Sequence, residues 1–70
     1  MARLEDLRRA RPMTQRELAA EAGVSEATIR VIEGGRSKGL RPKTMRAIAA
    51  VLEVKPADIE EFRPSLEPSG

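Results

Sequence analysis

Two capped helices joined only by Gly23 and Val24 constrain this chain more than any other feature in it. Thr14-Gln15-Arg16-Glu17 spells a capping box. The Thr14 hydroxyl can accept from the Glu17 amide while the Glu17 carboxylate reaches back to the Thr14 amide, a cap worth about 1 kcal/mol. Met13 before it and Leu18 inside it are spaced for a hydrophobic staple. The helix turns Leu18, Ala19 and Ala22 inward and stops at Gly23, a residue suited to a left-handed end. Only Val24 then precedes Ser25, the cap of a further helix over about residues 26–33 with Thr28, Ile29 and Ile32 on one stripe. The spacing leaves no room for a loop, so the two helices must cross steeply over a tight turn. Small Ala19 and Ala22 allow the close approach, and Val24 plugs the turn into the core.

The flanking punctuation extends the pattern. Pro12 stops a first helix that runs from about Ala2 to Ala10 with Leu4 and Leu7 on one face. Gly34-Gly35 ends the third helix, and a basic loop from Arg36 to Arg41 follows. Pro42 suits the first turn of a fourth helix, where Met45, Ile48, Ala49 and Leu52 fall at i, i+3, i+4 and i+7. Pro56 opens a short fifth helix with Ile59 and Phe62 inward, and residues 63–70 read as a flexible tail behind a domain of residues 1–62. With no alternating segment and no internal repeat, the expected class is all-α: a compact five-helix domain.

Composition narrows what such a domain can do. Seventy residues make one small domain, in which each apolar residue counts toward a thin core. Without cysteine or histidine there is no disulfide framework, no thiolate or imidazole metal site and no cysteine or histidine catalysis. No calcium loop is spelled either. Phe62 is the only aromatic residue, so base stacking of the single-strand-binding kind has no platform. Glu60-Glu61 is a carboxylate pair, but neighbouring residues on a helix do not face each other. Neither an enzyme nor a cofactor is expected. No apolar run reaches a membrane span, and Met1-Ala2-Arg3-Leu4-Glu5-Asp6 has no signal-peptide core, so the chain reads as cytoplasmic.

The net charge of +2 hides an asymmetry. Through residue 46, eleven cations face six anions, a net +5; from residue 47 on, two cations face five anions, a net −3. Between Arg36 and Arg46 lie five cations and no anion. A polyanion-facing side and a solvated basic loop both fit that distribution.

The pieces Met13-Thr14-Gln15-Arg16-Glu17-Leu18-Ala19, Ala22-Gly23-Val24-Ser25, Ile29 through Ile32-Glu33-Gly34-Gly35-Arg36, and Thr44-Met45-Arg46-Ala47-Ile48-Ala49 with Leu52 and Val54 follow in that order along the chain. Together they resemble the lambda-repressor/Cro-like (Xre-type) helix-turn-helix family. The resemblance covers about Leu4 to Ile59. It implies a lambda-repressor-like fold and a transcription regulator that binds double-stranded DNA sequence-specifically, with the third helix in the major groove.

Under that resemblance the base-reading positions match Glu26, Ala27, Arg30 and Val31. Their chemistry agrees: Arg30 can bond guanine O6 and N7, Glu26 can accept from cytosine N4, and Ala27 and Val31 can pack on thymine methyls. Phosphate contacts fall to Thr14, Gln15 and Ser25 at helix starts and to Arg36, Lys38, Arg41 and Lys43 after the third helix. Family members use a glutamine matching Gln15 to donate to a phosphate oxygen.

Glu26 departs from the neutral amide that many relatives carry. It can read cytosine, brace Arg30 four residues on, or weaken nonspecific binding. The family often pairs an arginine on the first helix with the glutamate matching Glu33, which implies an Arg8–Glu33 ion pair. Met13, Met45 and Phe62 are expected in the core or an interface. Ile59, Phe62 and Leu66 can form a homodimer surface or close the core, and both readings stand at this level. The competing function is an antitoxin or protein-interaction module with an unidentified protein partner, since fold does not fix function.

Overall fold

The computed structural model describes residues 2–35 and 40–66. In chain order it contains α1 (Leu4–Ala10), α2 (Gln15–Ala22), α3 (Glu26–Glu33), α4 (Pro42–Val51), two 3-10 turns (Pro56–Asp58 and Glu60–Phe62) and α5 (Arg63–Leu66). The all-α class and the compact helical arrangement expected from the sequence are what the chain adopts.

The helix boundaries follow from the caps. Thr14 Oγ1 accepts from the Glu17 amide at 3.0 Å, and Glu17 Oε1 accepts from the Thr14 amide at 2.8 Å, closing the capping box. Gly23 sits at φ 73°, the left-handed region, so Val24 N–H can donate to Ala19 C=O at 2.9 Å and Gly23 N–H to Ala20 C=O at 3.3 Å. That Schellman closure satisfies the carbonyls at the end of α2 and reverses the chain into α3 within two residues.

α2 lies at the centre and packs against both α3 and α4. The core is built from Leu4, Leu18, Ala19, Ile29, Ile32, Met45, Ile48, Ala49, Leu52, Ile59 and Phe62, with Met13, Ala22 and Val24 packed around it. Phe62 and Ile59 are fully enclosed, so they close the core and are not available as a pairing surface. The Leu66 side chain lies outside the described residues.

The two ends of the chain differ from expectation. α1 begins at Leu4, because Ala2 is extended and forms a parallel bridge with Ile59. Ala2 N–H donates to Asp58 C=O at 3.0 Å, and Glu60 N–H donates to Ala2 C=O at 2.8 Å. This pairing keeps Ile59 extended (φ −97°, ψ 118°), and the expected fifth helix from Pro56 splits into two 3-10 turns around it. Glu61 Oε1 accepts the Leu4 amide at 2.8 Å and so caps α1 from across the molecule. Beyond Phe62, where the sequence suggested a tail, Arg63–Leu66 forms a helical turn, and Ser65 Oγ accepts the Leu40 amide at 3.2 Å.

α4 ends in the same closure as α2 but without glycine. Glu53 takes the left-handed conformation at φ 55°, with Val54 N–H donating to Ala49 C=O at 3.0 Å. Its carboxylate pairs with Arg11, which ties this turn to the end of α1.

Candidate nucleic-acid interface

The candidate recognition surface is the outer face of α3. Ser25 caps that helix, its Oγ accepting from the Thr28 amide at 3.1 Å and pairing with Thr28 Oγ1 at 2.8 Å. Ile29 and Ile32 are 0% exposed and anchor the inner face. Full burial of such side chains is worth about 1.5–3 kcal/mol each, enough to hold a two-turn helix that would not persist alone in water. Thr28 lies half-buried at the margin of that stripe. Glu26, Ala27, Arg30 and Val31 are all exposed on the opposite face. Val31, 47% exposed, is the exposed large hydrophobic side chain among the described residues. Arg30 donates from Nη2 to Glu26 Oε2 at 3.2 Å, so the bracing geometry open to Glu26 is the one seen in the free chain.

The start of α2 forms a second part. The first-turn amides of a helix have no intrahelical acceptors and carry the positive end of the helix dipole, which makes this terminus a natural anion contact. Thr14 is exposed there, its hydroxyl engaged in the capping box. Gln15 is half-buried, and its Nε2 donates to Glu33 Oε1 at 3.0 Å. The start of α2 is thereby joined to the last turn of α3.

Glu33 is the hub of that junction. Arg8 Nε donates to Glu33 Oε2 at 2.6 Å, and Arg8 Nη2 donates to Glu33 Oε1 at 3.0 Å. The pair expected from the resemblance is therefore present and bidentate, with side chains 10% and 6% exposed. Arg8 Nη1 also donates to Met13 C=O at 2.8 Å, which holds the turn into α2. Burial by itself pushes the Glu33 carboxyl up, but the hydrogen bonds from Arg8 and Gln15, with the charges of Arg8 and Arg9, outweigh it and leave the group below its ordinary value. The hydrogen bond to Glu33 raises Arg8 in turn, against its own burial.

The basic segment is described only in part. Arg41 is the exposed cap residue of α4 and Lys43 is exposed in its first turn. Arg36 and Lys38 lie outside the described residues. No hydrogen bond or ion pair among the described residues joins Arg41 or Lys43 to α3 or to Gln15.

Three features had no signature in the sequence. The Gln15–Glu33 bond needs the crossing of α2 and α3 to bring its partners together. Glu61 as the cap of α1 and Ser65 as acceptor for Leu40 are contacts between distant segments. Among the described residues no group of acidic side chains is placed to hold a metal ion, and no helix is long and apolar enough to cross a membrane.

Residues 3–65 match the model of the Cro/C1-type HTH DNA-binding domain. The chain is 47% identical over 51 residues to the uncharacterized HTH-type transcriptional regulator RghRB of Bacillus subtilis, covering 73% of this chain and 37% of the relative. It is 36% identical over 53 residues to the uncharacterized HTH-type transcriptional regulator YozG of the same organism, covering 76% of this chain and 63% of the relative. The matched region thus spans less than two thirds of either relative. No solved structure matches.

Proposed function

Because this chain belongs to the Cro/C1-type helix-turn-helix DNA-binding family of transcriptional regulators, we propose that it binds double-stranded DNA sequence-specifically with α3 in the major groove. Such regulators typically act on DNA and not as enzymes. The observation that carries the reading is the division of α3. Ile29 and Ile32 are sealed in the core, while Glu26, Ala27, Arg30 and Val31 stand together on a free face of a rigid, capped helix. A major groove about 12 Å wide admits one such helix.

Arg30 is the main base reader, through two hydrogen bonds to guanine, and Ala27 and Val31 pack on thymine methyls. Glu26 can accept from a cytosine amino group or hold Arg30 extended for its guanine; the 3.2 Å pair favours the second role. Thr14, Gln15 and Ser25 contact phosphate at helix starts, and Arg36, Lys38, Arg41 and Lys43 neutralise the backbone beside the groove.

Salt dependence tests the phosphate assignments. Affinity for duplex DNA falls with salt in proportion to the phosphates neutralised, with a log–log slope of about 0.9 per contact. Arg41→Ala with Lys43→Ala is expected to flatten the slope by about 2, while base preference is kept. Fluorescence anisotropy across a salt series measures it. An unchanged slope removes these two residues from the interface.

A further inference from the structure

We propose that Glu33 is a positioning residue for DNA binding, which holds the Gln15 amide aimed at a phosphate before DNA arrives. The inference rests on the reading of Gln15 as a phosphate contact. Ion pairing alone does not account for the geometry at Glu33. Arg8 already donates to both carboxylate oxygens, at 2.6 and 3.0 Å, and so neutralises the buried charge. The third bond, from Gln15 Nε2 at 3.0 Å, adds nothing that charge balance requires.

What that bond does is fix a side chain. A glutamine at the first position of a helix otherwise samples several rotamers, and ordering a long side chain costs conformational entropy. A carboxylate only accepts, so the amide nitrogen of Gln15, not its oxygen, must face Glu33. One N–H is then committed to Glu33, and the other remains for one further acceptor. The same arginine that anchors Glu33 also donates to Met13 C=O at 2.8 Å, immediately before Thr14 and Gln15. Backbone and side chain at the start of α2 are thus set by one buried cluster. An anion at the last turn of α3 opposes the helix dipole, and it is kept there under an arginine with a glutamine attached. Preorganisation of this kind raises affinity by removing an ordering cost from the binding step.

A double-mutant cycle on a duplex recovered by selection from random DNA tests it. The paired change Arg8→Met with Glu33→Leu removes the acceptor without stranding a buried charge. It is expected to weaken binding about three- to tenfold, the span of one hydrogen bond, and by less than about twofold in a Gln15→Ala background. Equal losses in both backgrounds would mean that Glu33 acts only on the fold, and would overturn the proposal. So would full affinity in the paired variant. If that pair does not fold, as judged by circular dichroism, Glu33→Gln replaces it. Its single acceptor oxygen cannot serve Arg8 and Gln15 as the carboxylate does, so the cycle again shows coupling with Gln15→Ala, and additivity again overturns the idea. A wild-type chain that enriches no duplex removes the phosphate contact itself, a failure distinct from additivity.

Discussion

Arg8→Ala is expected to cost about 3–5 kcal/mol of stability, the range for stranding one member of a buried ion pair. A domain of this size has roughly 3–10 kcal/mol to lose, so this one change removes about a third of that margin or more. The loss is large because Arg8 makes three hydrogen bonds, two to Glu33 and one to Met13 C=O, which hold α1, the turn before α2 and the end of α3. Urea melts followed by circular dichroism measure it. A loss under about 1 kcal/mol, the range of an exposed pair, would show that the cluster does not hold the helices together. The pH dependence has a definite sign. The folded Glu33 carboxyl titrates below its ordinary value of 4.5, so its contribution is complete above that value and is lost as the pH falls through the depressed one. Arg8 is raised from an already high value and contributes no change in the accessible range. Wild type therefore loses this stability on the acid side, and Glu33→Gln flattens that part of the curve.

Arg30→Ala is expected to abolish preference for one base pair while leaving folding intact. Arg30 is exposed, and among the described residues its side chain hydrogen-bonds to Glu26, so its removal takes nothing from the core. A bidentate arginine–guanine contact supplies about 1–3 kcal/mol of discrimination, roughly 5- to 150-fold between guanine and the other bases. Competition binding with single-base variants of a preferred duplex reads that ratio directly. Unchanged preference at every position would show that the third helix reads DNA, if at all, through other side chains. Because Glu26 and Arg30 are bonded in the free chain, Glu26→Gln is expected to reduce the same ratio and to raise nonspecific affinity by removing a charge near the phosphates.

The parts of this fold legible in the sequence are those written in local spacing. Thr14 and Glu17 stand three apart, Gly23 lacks the side chain that disfavours φ 73°, and Ile29 and Ile32 share a face and join Leu18 in the core. The outer face of α3 follows once the inner one is known. Arg8–Glu33 was reachable only through the family resemblance, since no local period links residues on different helices. The ends were illegible for a physical reason. Ala2 and Ile59 pair through backbone groups that any residue possesses, and one bridge leaves no alternating pattern to read. The closure at Glu53 was hidden because a residue with a side chain stands where glycine would have signalled the turn. The Gln15–Glu33 bond depends on a crossing of two helices that spacing predicts only in outline. Of the basic segment, Arg41 and Lys43 can be placed at the start of α4, whereas Arg36 and Lys38 rest on the sequence pattern and the resemblance.

Selection of bound sites from a random duplex library, run in parallel for wild type and Arg30→Ala, decides whether this domain reads duplex DNA with the free face of α3. The expected result is a short enriched motif containing a guanine whose preference disappears in the variant, with the spacing of repeated half-sites reporting whether one or two copies bind. Enrichment of no motif over the starting library, or the same motif from both proteins, would show that Arg30 on α3 does not read DNA.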